Sequence, residues 1–315
     1  MPVRARSGPD GYPAVHSEGR SVSGNRSETA PFYIRYRRAP PSGSNEVPVL
    51  SFRILGPLEV MNDHRSCAPT APRTLATLAL LLLRANHVVP LETIIKELWN
   101  DQPPRSGATT AQTYIYQLRR LIDEETGGDA KQVLVTRAPG YLLSVDPQQV
   151  DLFQFQRLTA EAHTLLEAGR PDQAGPKLRR ALDLWSGPPL ANVDAGPVLE
   201  GYVAALEEQR MQTLNLRIEA DLRLGRHHQM VAELRALIVE HPYNEWYHSL
   251  LVFTLARIGR RHDALQAYAR TRRVLSEELG LAPSHELRRI QQAVLHDHEI
   301  EPPQPIAPSI ESRSA

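Results

Sequence analysis

Between Asp101 and Asp123 the chain carries no acidic residue, while Arg105, Arg119 and Arg120 all fall there. Over the same stretch Ile115, Leu118 and Ile122 recur at helical spacing and form one apolar stripe. Thr109, Gln112, Thr113, Tyr116, Gln117 and Arg120 are left on the other side. Glutamine can bond an adenine edge through both amide atoms, arginine a guanine edge, and a threonine methyl can touch the thymine methyl. The face therefore predicts base contacts in a major groove from Gln112, Thr113, Tyr116, Gln117 and Arg120. Arg105, Thr109, Thr110 and Arg119 are better placed for phosphates, which fix register without reading sequence. Further on, Thr136 and Arg137 border a turn from which they could reach the backbone or the adjacent minor groove.

Other reactive combinations are missing. The chain has twelve histidines, among them His227-His228 and His296-Asp297-His298, but no His-Glu-x-x-His, and neighbours on a helix point to different faces. The single cysteine, Cys67, excludes an intrachain disulfide and any multi-cysteine zinc site. There is no Gly-x-Ser-x-Gly elbow, and none of the three lysines (Lys96, Lys131, Lys177) follows a glycine as a phosphate-binding loop requires. These patterns predict a protein that is not an enzyme and holds neither metal nor cofactor.

The elements that must position the polar face are legible around it. Of 315 residues, 41% are hydrophobic and 23% charged, ordinary for globular domains, and 36 basic residues balance 36 acidic ones. No global cationic field exists, so nucleic-acid binding has to come from a local patch. Residues 1–48 hold seven prolines and seven arginines against four acids, and read as a disordered arm in which Arg35-Tyr36-Arg37-Arg38 is a solvated cluster or, as the alternative, brushes DNA phosphates. Residues 301–315, with four prolines, read as a second tail. The longest apolar run, Leu75 to Leu83 with Thr77 inside it, is less than half a membrane span, and no apolar export core follows Arg4 and Arg6. A cytoplasmic protein at the nucleoid is expected, with no membrane contact.

From 49 to 146 the pattern is short strands over 51–60, a helix from Arg73 to Asn86, an extended Val88-Val89-Pro90, and a helix from Leu91 to Trp99. Ser106 then offers an N-cap for the polar-faced helix, which runs to about Asp123. Two apolar strands, 132–137 and 141–145, flank Ala138-Pro139-Gly140 as a hairpin. That order is an α+β winged helix-turn-helix, although its ten basic and ten acidic residues leave it neutral.

From 147 to 300 the pattern is all helical. Gly225-Arg226-His227 and Gly259-Arg260-Arg261-His262 start 34 residues apart, the tetratricopeptide period, and Gly169-Arg170 is a more distant copy. Small or apolar residues follow each glycine by five places (Ala174, Met230, Ala264) and large ones by nine (Leu178, Leu234, Tyr268). Such helix pairs present a groove, which leaves a second reading open. The repeats could sense a peptide or small ligand through Tyr202, Tyr243, Trp246, Tyr247 and Phe253, with the winged helix as a protein-binding scaffold.

Several blocks carry a family resemblance. They include 52–60 (Phe-Arg-Ile-Leu-Gly-Pro-Leu-Glu-Val), Pro69-Thr70-Ala71-Pro72-Arg73, 80–86, Glu97-Leu98-Trp99, and Pro103-Pro104-Arg105-Ser106 leading into 109–119. In the second half they are 181–190, His241-Pro242, Gly259-Arg260 and Glu277-Glu278-Leu279-Gly280. Together, from Ser51 to about Leu295, the chain resembles the Streptomyces antibiotic regulatory proteins. In that family an OmpR-like winged helix precedes a bacterial transcriptional activator domain. The resemblance implies a pathway-specific activator of secondary-metabolite genes that binds direct repeats near the −35 region as two protomers and recruits RNA polymerase. It places Asn100, Asp101 and Gln102 in the loop through which OmpR-like activators touch polymerase. The phosphate-binding loop of larger members is missing, and 48 residues before the winged helix are too few for a receiver domain.

Overall fold

The computed structural model describes residues 50–62, 65–128 and 130–303. The arm at 1–48 and most of the tail expected at 301–315 lie outside them. A first antiparallel sheet is built from β1 (Leu50–Arg53), β2 (Glu59–Asn62) and β3 (Arg65–Ser66), with Phe52 opposite Val60. Three helices follow: α1 (Pro72–Leu83), α2 (Leu91–Trp99) and α3 (Gly107–Thr126). A helical turn, α4 (Ala130–Val133), leads into the wing, β5 (Leu134–Arg137) and β6 (Gly140–Leu143).

The extended 88–90 link becomes β4 (Val89–Pro90), which pairs with β6 and makes it the centre of a second sheet. That pairing is why position 140 is glycine: a Cβ there would lie 1.9 Å from the Val89 carbonyl oxygen. The first helix stops three residues before the expected Asn86. Asn86 sits at φ 65°, donates its backbone N–H to the Leu143 carbonyl, and brackets the Val145 backbone with its side-chain amide. The wing recruits it, so it cannot extend α1. The first wing strand begins two residues late because Gln132 and Val133 belong to α4.

The second half is all helical: α5 (Asp151–Glu167), α6 (Pro171–Leu182), α7 (Pro197–Arg223), α8 (His227–Glu240), α9 (Glu245–Arg257), α10 (Arg261–Leu279) and α11 (His285–His296). Each repeat glycine, Gly169, Gly225 and Gly259, ends a helix at φ 68–78° and lets the next begin two residues later. The residues five and nine places after each (Ala174, Met230, Ala264; Leu178, Leu234, Tyr268) are all buried. The fold is a winged helix followed by a tetratricopeptide-like helical array.

One apolar core runs across both halves. Phe52, Ile54, Leu55 and Leu58 pack in the same cluster as Phe153, Phe155, Trp185, Leu190, Leu199 and Leu206. A second cluster fills α8 to α11 around Tyr247, Leu250 and Ile290. The 27-residue α7 runs from the first, through Leu199 and Leu206, to the second, through Ile218.

Two buried carboxylates close the junction of the halves. Glu97 of α2, 4% exposed, accepts the N–H of Gly196, and also those of Val198 and Leu199, and so caps α7 from another element. Asp151, at the start of α5, accepts the N–H groups of Ile54, Leu55 and Leu152 at 2.8–3.1 Å. Burial pushes its carboxyl up to about 6, against the opposing pull of those three donors. Asn192 adds a reciprocal pair to the Leu58 backbone, and Ser186 and Leu190 donate to the carbonyls of Leu55 and Ile54.

Candidate nucleic-acid interface

Helix α3 is held on three sides. Gly107, Ala111, Ile115, Leu118 and Ile122 are buried along its inner stripe. Its last turn is tied to the first sheet by Glu125, which accepts from Asn62 and Arg65 at 2.6–2.9 Å and whose carboxyl is held low chiefly by the Asn62 hydrogen bond. Gly127 at φ 77° ends the helix. Ser106 precedes it without a side-chain cap; its carbonyl instead accepts both the N–H and the hydroxyl of Thr110.

With the inner stripe buried, Thr109, Gln112, Thr113, Tyr116, Gln117 and Arg120 are exposed, Tyr116 at 66%. Thr113 donates its hydroxyl hydrogen to the Thr109 carbonyl at 3.0 Å, leaving a methyl and oxygen lone pairs for an outside partner. Gln117 is not free: Thr74 of α1 donates to its Oε1 at 2.7 Å. Arg120 is paired through Nε with Glu124 one turn on, a contact that raises the guanidinium pKa and leaves both side chains mostly in water.

Two of the expected phosphate contacts have internal work. Arg119 donates through Nε and Nη2 to the Leu134 carbonyl, at 2.9 and 2.7 Å, and through Nη2 to Thr136 Oγ1 at 2.7 Å. Its guanidinium also lies over the Tyr141 ring, 5.8 Å from the centroid. The Arg119–Thr136 pair is thus a strut from α3 to the wing, so a phosphate contact from either side chain would share groups already used inside the protein. Periodicity places Arg119 beside the outer face but cannot show the strand that covers it. Arg105, ahead of α3, and Arg137, at the wing tip, are exposed and have no side-chain partner among the described residues.

The loop from Asn100 to Arg105 is exposed throughout, and Asn100 takes φ 54° to end α2. Asn100 and Gln102 border a cleft of about 390 Å³ between α1, α2 and the start of α7, which Arg73, Trp99 and Asp194 also line. The capping role of Glu97, beside this cleft, does not follow from sequence patterning. Its only outward sign is an acid among the apolar positions Ile94, Leu98 and Trp99 of α2.

The aromatics considered for a ligand groove divide differently. Trp246, Tyr247 and Phe253 belong to the second core, Tyr202 is half-buried against the first, and only Tyr243 is exposed, with its hydroxyl donating to Glu278. No group of three histidine, cysteine or acidic side chains among the described residues is arranged to hold a metal. No helix among them is long and apolar enough to cross a membrane.

Comparison with known proteins agrees with this architecture. Residues 67–143 match the family described as transcriptional regulatory protein, C terminal, and residues 150–295 match the bacterial transcriptional activator domain. The regulatory protein DnrI of Streptomyces peucetius is 42% identical over 250 residues, covering 78% of this chain and 92% of that protein. The regulatory protein AfsR of Streptomyces griseus is 36% identical over 79% of this chain, which spans only 25% of that longer protein. Among solved structures, Mycobacterium tuberculosis EmbR, determined in complex with a low-affinity phosphopeptide, superposes with a TM-score of 0.74 at 32% identity, covering 80% of this chain and 66% of that one. Winged helix, activator domain and a relative matched over 92% of its length converge, and the chain belongs to the Streptomyces antibiotic regulatory protein family of transcriptional regulators.

Proposed function

We propose that the chain is a sequence-specific DNA-binding activator of a secondary-metabolite gene cluster. Two protomers would bind direct repeats near the −35 region, with α3 in the major groove, and recruit RNA polymerase. The observation that carries this reading is the outer face of α3. Thr109, Gln112, Thr113, Tyr116 and Arg120 project from a helix whose opposite side is packed, between Arg105 and Arg137, exposed and without a side-chain partner among the described residues. Gln112, Thr113, Tyr116, Gln117 and Arg120 read bases; Arg105, Thr109, Thr110 and Arg137 hold phosphates. Arg119 and Thr136 set the wing against the helix, which fixes where Arg137 meets the backbone. Asn100, Asp101 and Gln102, exposed just ahead of α3, are the surface offered to polymerase at a promoter.

The test is selection of fragmented genomic DNA on the full-length protein, repeated with Gln112→Ala. Enriched fragments are expected to share direct repeats about one helical turn apart. The variant should lose at least about fivefold more affinity for them than for random DNA. Equal losses on both would remove Gln112 from base reading, and the absence of any enriched sequence would sink the DNA-reading function.

A further inference from the structure

Gln117 sits on the flank of α3 that turns toward α1, while Gln112 and Arg119 lie on the flank toward the wing, as rotation of about 100° per residue requires. Thr74, in the first turn of α1 and 2% exposed, donates its hydroxyl hydrogen to Gln117 Oε1 at 2.7 Å. A buried hydroxyl needs an acceptor, and this amide oxygen is the one it has among the described residues. On the opposite side of the same planar amide, Nε2 has no partner among the described residues. The carbonyl end of the side chain is therefore turned into the protein and the NH₂ end is left outward.

We propose that Thr74 is a positioning residue that decides which base Gln117 reads. An unrestrained glutamine recognises adenine by accepting from N6 and donating to N7, which needs both ends of the amide in the groove. With one lone pair of Oε1 taken by Thr74 and the carbonyl end drawn toward α1, Gln117 offers the groove its NH₂ donors ahead of its carbonyl. Guanine, with N7 and O6 both acceptors, fits that presentation best. Thymine O4 and adenine N7 offer one acceptor each, and cytosine N4 is a donor that opposes it. The inference rests on α3 reading bases, and refines the simple expectation that glutamine marks adenine.

The experiment is selection from a random DNA pool on the full-length protein, run for the wild type, Gln117→Ala, Thr74→Val and Thr74→Ser, with melting temperatures recorded for each. Valine keeps the shape of threonine and removes the hydroxyl; serine keeps the hydroxyl. The wild type should prefer guanine at one position that Gln117→Ala levels. At that position alone, Thr74→Val should raise adenine relative to guanine by about fivefold or more, and Thr74→Ser should restore the wild-type preference. A wild-type preference for adenine or cytosine there overturns the proposal, as does a pattern that Thr74→Val leaves unchanged. Equal flattening of every position by Thr74→Val, together with a lower melting temperature, would make Thr74 a packing residue only and overturn it too. If Gln117→Ala changes no position while other variants of the face do, the error lies in Gln117 as a base reader. If no protein in the set enriches any sequence, the DNA-reading function itself has failed and the inference falls with it.

Discussion

At the scale of single residues, two arginines on either side of the wing make opposite predictions. Arg137 is exposed at the tip with no internal partner among the described residues, so its charge is available to a phosphate. Arg137→Ala should weaken binding to all sequences alike and reduce the slope of log affinity against log salt by about 0.9, leaving the melting temperature unchanged. Arg119 spends Nε and Nη2 on Leu134 and Thr136. Arg119→Ala should cost on the order of 1–2 kcal/mol of stability, the usual worth of hydrogen bonds to a charged donor that stays partly in water. A salt slope that falls with Arg119→Ala as much as with Arg137→Ala would return Arg119 to the DNA. The distinction was invisible in the sequence because helical spacing sorts residues by angle about one axis. It contains nothing about a strand fifteen residues on that folds back over that angle. For the same reason Gln117 reads as a free side chain until α1 is laid beside it.

At the scale of elements, local patterns were read well and contacts between distant elements were not. Helix α2 spans Leu91 to Trp99 as its apolar spacing requires, and the repeat glycines fall at helix ends because only a residue tolerant of positive φ can turn the chain there. The capping roles of Glu97 and Asp151 are not legible in the sequence, since a carboxylate that caps a backbone about a hundred residues away leaves no local period. Asp151 makes this contact measurable through pH. Its carboxyl sits at about 6 in the folded chain against an ordinary 3.8. The folded state thus holds this proton more tightly than the unfolded one, so the site adds stability as pH falls through 6 toward 4 and withdraws it as pH rises over the same window. Unfolding free energies of the wild type and Asp151→Asn, compared between pH 4.5 and 7.5, should therefore diverge in favour of the wild type at the lower pH. The full effect is at most about 3 kcal/mol. A difference that is constant across the window would show that the three N–H donors balance burial, and one that favours the wild type at the higher pH that they outweigh it.

At the scale of the whole molecule, the division at residue 146 is one of architecture, and the core does not respect it. Ile54 and Leu55 have their N–H groups on Asp151, their carbonyls on Leu190 and Ser186, and their side chains in a cluster with Phe153, Phe155, Trp185, Leu190, Leu199 and Leu206. Cutting at 146 removes all of these partners and strips Glu97 of the three N–H groups it caps. Burial of a large apolar side chain is worth about 1.5–3 kcal/mol, so losing six such side chains removes on the order of 10 kcal/mol. That is comparable to the ~5–15 kcal/mol by which an entire domain is stable. A chain of residues 49–146 is therefore expected to melt without a cooperative transition, whereas 49–224, which retains the first core and the whole of α7, should melt cooperatively. If 49–146 melts as sharply and at the same temperature as the full chain, the shared core contributes nothing to the winged helix. The longer fragment also isolates what α8 to α11 do. On DNA with one repeat, 49–224 and the full chain should bind alike, because α3, the wing and both carboxylate clamps are present in each. On DNA with two adjacent repeats only the full chain should bind cooperatively if α8 to α11 pair the protomers. Cooperativity that survives their removal would place the contact between protomers on the winged helix or the first activator helices instead.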